Sequence, residues 1–243
     1  MDDSDWIHRL SGRQPDQNDV ISERLPGRVD SWPPVAAVKA YTLIFVADRI
    51  NGRILLGYKK RGMGKGLWNG FGGKPEMWET MEDCAKRELQ EEAGLVEPSL
   101  TYKGHFVITD SNITLREGSM TSPLIYLYIC DAWKGEPLET EEMKPQWFQA
   151  PWISSHTAAN GLQTIPEDLM WPEQRFFLRN LFYLQPHERL SGRADYETVA
   201  SPGPPSFGNG GEKELITKDR KHRLKSWRFV RVAVADGSDI LGC

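Results

Sequence analysis

The sequence predicts an α/β sandwich, with helices packed on a sheet. Three observations carry this prediction. Two apolar runs, Ala40 to Asp48 and Arg53 to Lys60, flank an Asn51-Gly52 pair and read as strand, turn, strand. Past residue 80 the apolar positions change to helical spacing, at Met81, Ala85 and Leu89. Met170 to Gln185 repeats that spacing with Phe176, Phe177, Leu181 and Leu184, and Pro172 suits a first helical turn.

Taken in order, residues 1–36 are polar, with scattered Pro and Gly and a break at Ser31 to Pro34. A mostly disordered tail is expected there, with one body from 37 to 243. After the first two strands comes a glycine-rich loop, Arg61 to Lys74. It feeds the first helix, whose start is marked by Thr80 with Asp83 three residues on. Gly94 suits the left-handed residue that ends a helix. Leu100 to Asp110 and Pro123 to Trp133 read as strands, and Trp133 to Gln149 as a turn, an acidic loop and a strand. A flexible Pro/Gly-rich insertion is expected near 187–211. Lys213 to Val234 holds two alternating runs around a basic turn with Lys218, Arg220, Lys221, Arg223 and Lys225. Leu224, Trp227, Phe229 and Val232 suit a strand pair, so this is read as a C-terminal β-hairpin with a solvated tip rather than a nucleic-acid site.

Composition narrows the partners. The formal net charge is −4, which gives no overall pull toward nucleic acid or an anionic membrane. No apolar run approaches the roughly 20 residues of a membrane span, and the acidic N-terminus lacks the apolar segment of a signal peptide. The three cysteines, Cys84, Cys130 and Cys243, are odd in number and widely spaced. Reduced thiols in a cytoplasmic compartment are expected, with nuclear or mitochondrial placement as alternatives. A monomer with no membrane partner is the expectation.

The chemistry concentrates in the first helix. Glu88, Glu91 and Glu92 stand at i, i+3 and i+4, so they share a side of the helix. Like charges at those offsets repel unless a cation neutralises them. A hard divalent ion with oxygen ligands does so, and Mg²⁺ is the usual partner of phosphate substrates, with Mn²⁺ as the alternative. Arg87 projects about 100° away from Glu88. It is expected to orient a loop carboxylate such as Glu79.

Gly73, Glu79, Arg87, Glu88, Leu89, Glu91, Glu92, Gly94 and Leu95 together match the pattern G-x5-E-x7-R-E-hydrophobic-x-E-E-x-G-hydrophobic. That is the Nudix box, and the chain resembles the Nudix hydrolase family. The resemblance implies an α/β/α sandwich with a mixed sheet, one helix carrying the box. The flanks at Lys59 to Lys74, Glu141 to Phe148 and Met170 to Gln174 resemble the mammalian-type oxidised purine nucleoside triphosphatases. These convert 8-oxo-dGTP and 2-hydroxy-dATP to monophosphates and so clean the nucleotide pool, so the resemblance implies a small-molecule nucleotide as the partner.

That resemblance implies roles residue by residue. Thr42 and Asn69 line a base pocket, Trp171 stacks on the base, and the pair Glu173-Gln174 reads its edge. Lys59 lies near sugar or phosphates. Gly72 and Gly73 let the backbone approach triphosphate and metal. Glu142 assists Glu88, Glu91, Glu92 and Gly72 at the metal, and Arg87 belongs to the catalytic set. Two departures stand out. The family has two adjacent acidic residues where this chain has Glu173 and Gln174, and an aromatic residue where it has Met63. A carboxylate pair can exchange donor and acceptor roles, whereas the amide of Gln174 has them fixed. Competing readings are a Nudix enzyme for dinucleoside polyphosphates, ADP-ribose or a capped RNA end, and a catalytically silent nucleotide-binding module.

Overall fold

A computed structural model describes residues 20–24, 35, 37–110, 121–150, 161–199, 215–217 and 220–234. Its strands are β1 (Val20–Arg24), β2 (Ala37–Asp48), β3 (Arg53–Lys59), β4 (Trp68–Asn69), β5 (Val96–Asp110), β6 (Thr121–Lys134), β7 (Met143–Gln149), β8 (Glu188–Val199), β9 (Leu215–Thr217) and β10 (Arg220–Ala233). The helices are α1 (Met81–Ala93) and α2 (Gln174–Leu181). All ten strands join one mixed sheet, ordered β1-β10-β8-β5-β6-β2-β3-β4, with β7 on β3 and β9 on β10. The pairs β2–β6 and β5–β8 are parallel.

Strand β2 shows how the layers arise. Successive side chains of a strand point to opposite faces. Leu43, Phe45 and Ala47 enter a core shared with Phe177, Leu178 and Leu181 of α2. Ile44 and Val46 enter a second core with Ala85, Leu89 and Ala93 of α1. The helices therefore cover opposite faces, which is the α/β/α sandwich expected.

Near the middle of the sheet β2 and β3 part. They pair only over Val46–Asp48 with Arg53–Leu55. Further along β3, the short strand β4 takes the edge that β2 has left, placing Asn69 beside Gly57. A single bridge, Ile44 with Phe71, ties this wedge back to β2.

Helix α1 starts where Thr80 Oγ1 accepts the Asp83 N–H at 3.1 Å and donates to the Asp83 carboxylate at 2.7 Å. It ends on Gly94, at φ 73°. Helix α2 is shorter than its periodicity predicts. The Trp171 carbonyl accepts the Gln174 N–H at 3.0 Å, closing a turn, so helical geometry begins only at Gln174. Phe176 stacks on Trp227 at 3.9 Å and pins α2 to β10.

The expected insertion near 187–211 is corrected over its first half. Residues 188–199 are β8, paired with β10 and in parallel with β5. Leu190, Ala194 and Tyr196 bury one face of it, while Ser191, Arg193 and Asp195 are buried on the other. Polar residues on a buried face hide the period-2 signal. Residues 200–211 lie outside the described residues. Within the expected 1–36 tail, Val20–Arg24 pairs with β10. The hairpin of β9 and β10 is present, and Arg223 is ion-paired with Glu197. Lys218 lies outside the described residues. Cys84 and Cys130 are buried, and burial pushes their thiols up to about 11 and about 12. No helix among the described residues is long and apolar enough to cross a membrane.

Candidate active site

A cleft of about 530 Å³ opens beside α1, lined by Lys59, Gly72, Gly73, Glu88, Glu92 and Glu142 among others. Two turns of helix bring Glu88 and Glu92 to it. Glu92 is 3% exposed. One of its oxygens accepts the Gly72 N–H at 2.9 Å and the other the Lys59 ammonium at 2.8 Å. Lys59 reaches Glu142 as well, at 3.2 Å, and Arg61 holds the remaining Glu142 oxygen. Arg61 had given no signal in the sequence.

The glycines are required by contact. Gly72 has φ 142°, and a Cβ there would run into the Thr42 carbonyl. A Cβ on Gly73 would overlap the Glu88 carboxylate. Backbone and carboxylate thus approach each other with no side chain between.

Arg87 acts from behind. Its Nε and one terminal nitrogen form a fork on Glu79, at 2.9 and 3.0 Å. The other terminal nitrogen donates to Glu88 and Glu91, both at 3.0 Å, and the Lys74 carbonyl takes a fifth N–H at 3.1 Å. Every guanidinium N–H is used, so Arg87 ties the loop to the helix and has none left for substrate. Glu91 lines the same cleft but nearer its rim. Its side chain is 57% exposed and paired with Arg87, because 100° per residue sets it to one side of Glu88 and Glu92.

The charges explain what the cleft lacks. Burial raises the proton affinity of Glu88, against the pull of Arg87. Burial raises Glu92 too, although Lys59 and the Gly72 N–H oppose it. Burial would lower the Lys59 ammonium, yet Glu92 and Glu142 outweigh it and hold its pKa above the ordinary value. Among the described residues no three acidic, His or Cys side chains enclose a ready-made ion site. What converges is the buried Glu92 and the half-buried Glu88 carboxylates beside the Gly72-Gly73 backbone, with a lysine ammonium between Glu92 and Glu142. Mg²⁺ is usually held by one or two carboxylates together with substrate phosphates. The donor set fits a divalent ion of that kind, completed by the substrate rather than by a protein cage.

On the other face a second group of polar residues meets. The Asn69 Oδ1 accepts the Gly70 N–H at 2.9 Å and the Gln174 amide N–H at 2.6 Å. The Gln174 Oε1 is buried with no partner. Glu173 is 2% exposed, and one of its oxygens accepts the Tyr196 hydroxyl. Burial pushes its carboxyl up to about 7, against that hydrogen bond. Trp171 stands edge-on to Tyr196 at 6.3 Å and lies over Gly64. Asn69 precedes Gly72 by three residues of extended chain, about 10 Å. That is a nucleoside's distance from the carboxylate cleft.

Two expected pocket residues are placed elsewhere. Thr42 is buried on the α1 face, its hydroxyl between Gly73 and Cys84. It braces the Gly72-Gly73 loop, because the strand period turns it away from Asn69. Met63 is 82% exposed, on the loop beside Gly64. Tyr196, like Arg61, is a residue to which sequence reasoning gave no role.

Fold and site together define a hydrolase of phosphoanhydride bonds. The NUDIX domain model matches residues 38–174, and the chain belongs to that family. It is 40% identical over 139 residues to the oxidized purine nucleoside triphosphate hydrolase of Mus musculus, covering 57% of this chain and 76% of that protein. It is 40% identical over 152 residues to the protein of the same name from Danio rerio, covering 62% and 89%. A MutT protein from Bacillus halodurans is similar in structure at a TM-score of 0.48, with 22% identity over 66% of this chain and 91% of that one.

Proposed function

We propose that this enzyme hydrolyses purine nucleoside triphosphates, oxidised ones of the 8-oxo-dGTP and 2-hydroxy-dATP type among them, to monophosphate and pyrophosphate with Mg²⁺. The observation that carries the reading is the pairing of two groups across the parted strands. Glu88, Glu92 and the Gly72-Gly73 backbone lie at one end, and Asn69, Trp171, Glu173 and Gln174 at the other. The relatives named as oxidised purine nucleoside triphosphate hydrolases favour this substrate class over dinucleoside polyphosphates, ADP-ribose or RNA caps.

Each residue then has a task. Asn69, Glu173 and Gln174 bind the base edge and Trp171 covers its face, which fixes the phosphate chain in the cleft. Glu88 and Glu92, with the Gly72 backbone and Glu142 beside them, would hold the divalent ion. When bound, that ion supplies positive charge along the phosphates and acidifies the attacking water. Glu91 and Glu92 are the carboxylates able to accept that water's proton. Lys59, released from Glu92, pairs with phosphate oxygens. Arg87 and Glu79 keep the loop on the helix while this happens.

The test is Glu92→Gln, with pyrophosphate release followed across Mg²⁺ concentrations and folding followed by circular dichroism. The expected result is a loss of at least about 100-fold in turnover with an unchanged spectrum. A variant that kept the wild-type rate would refute the site assignment.

A further inference from the structure

Glu92 meets two donors of different mobility. Its Oε2 accepts the Gly72 N–H at 2.9 Å, and its Oε1 accepts the Lys59 ammonium at 2.8 Å. The first donor is fixed. The loop that carries it is bonded to β2, where the Thr42 N–H donates to the Gly73 carbonyl at 2.8 Å and the Ile44 N–H to the Phe71 carbonyl at 2.6 Å. The second donor ends a flexible four-carbon stem. The Lys59 backbone is bonded to Leu67 and Gly66, both at 2.8 Å, so the ammonium is the part that can leave. It also reaches Glu142 at 3.2 Å, and Arg61 holds the other oxygen of Glu142. Each oxygen of both carboxylates therefore faces a donor. A divalent ion on Glu92 would share that carboxylate with the ammonium. Two cations on a carboxylate that is 3% exposed repel with little screening.

We propose that Lys59 is an internal counter-ion that keeps a divalent ion off Glu92 until a phosphate chain draws the ammonium away, so that ion and nucleotide enter the cleft together. The inference rests on the hydrolase reading above and adds the order in which its parts assemble. In the protein alone, an ion at Glu92 breaks a charge-assisted hydrogen bond and leaves behind an ammonium that is 18% exposed. With a triphosphate in the cleft the ammonium exchanges carboxylate oxygens for phosphate oxygens, and that penalty is removed. The coupling is reciprocal, so the ion strengthens nucleotide binding by the factor by which the nucleotide strengthens ion binding. A lysine that served phosphate alone would behave otherwise. Its neutralisation would change ion binding no more than the loss of another positive charge lining the cleft. Arg61 is such a charge.

The experiment titrates Mn²⁺ into substrate-free wild type, Lys59→Met and Arg61→Gln, with free Mn²⁺ read by electron paramagnetic resonance. Methionine keeps an unbranched stem without the charge. Arg61→Gln removes an equal charge that lies on Glu142 and Glu141 instead. Lys59→Met is expected to bind Mn²⁺ at least about tenfold more tightly than wild type, the scale of one hydrogen bond to a charged group. Arg61→Gln is expected to gain no more than about threefold, the scale of an exposed ion pair. Lys59→Gln repeats the test with a second neutral stem. The titrations are then run with the α,β-methylene analogue of dGTP, whose α–β link resists hydrolysis. The analogue's own affinity for Mn²⁺ is common to all the mixtures and cancels between proteins. With it present, wild type equals or exceeds Lys59→Met, because the ammonium has phosphate oxygens to hold. Equal Mn²⁺ affinity of substrate-free wild type and Lys59→Met, or an equal gain in Arg61→Gln, overturns this inference and leaves the hydrolase reading intact. A Lys59→Met advantage that the analogue does not reduce overturns it too. No Mn²⁺ uptake by wild type with the analogue present overturns both.

Discussion

Glu173→Gln reports on stability, with a size that follows from burial. The wild-type carboxyl is pushed from the ordinary 4.5 up to about 7 inside the core. The folded protein therefore holds this proton more tightly than the unfolded chain between those two values. Stability from this group is fully present below pH 4.5 and is lost as pH rises through 7. At 1.36 kcal/mol per pH unit the full loss is about 3 kcal/mol, of which about 2 to 3 kcal/mol falls between pH 5 and 8. That is a large share of a typical folding free energy of about 5 to 15 kcal/mol. The assay is urea unfolding of both proteins at pH 5, 6, 7 and 8. The Gln variant cannot titrate, so its stability should decline less over the range, by that amount. Tyr196→Phe removes a bond to the ionised form and should move the end of the decline to higher pH. Parallel stability curves for wild type and Glu173→Gln would refute the claim that this carboxyl is buried and protonated near neutrality.

Two further substitutions test the loop that leads into α1. Trp78 sits at φ 70° with 95% of its surface exposed, so it bears left-handed strain with no packing in return. Trp78→Gly should raise the unfolding free energy by about 0.5 to 1 kcal/mol in urea titration, after the chain-entropy cost of glycine, and a loss would show that the indole is held. Gly73→Ala should push the Glu88 carboxylate out of the cleft and raise the Mg²⁺ concentration for half-maximal activity at least about tenfold. An unchanged metal requirement would remove Glu88 from the ligand set.

The carboxylate half of the site was legible in the sequence because it is local. Thr80, Gly94 and the spacing of Glu88 and Glu92 fall within one helix, where the period dictates who shares a side. Glu91 also lines the cleft, at its exposed rim and paired with Arg87, a difference in depth that the spacing alone does not register. The group around Asn69, Glu173 and Gln174 depends on contacts far apart in the chain. The strand period shows that Thr42 and Leu43 face opposite ways but not which faces which helix. Tyr196 was hidden because β8 is buried on both faces with Arg193 and Asp195 on one of them. A strand of that composition, close to a Pro- and Gly-rich stretch, reads as a loop. The late start of α2 at Gln174 has a similar cause, a turn closed by a backbone contact that periodicity cannot register.

The parting of β2 from β3, with β4 wedged between, divides labour between the two sides of the sheet. On the proposed reading, bond cleavage belongs to the α1 side and base discrimination to the α2 side, linked by the short run from Asn69 to Gly73. On that reading, alterations at Glu173 or Gln174 would retune which nucleotide is admitted without touching the Glu88 and Glu92 carboxylates. Such an architecture lets one catalytic engine be refitted to new bases by drift on the far wall.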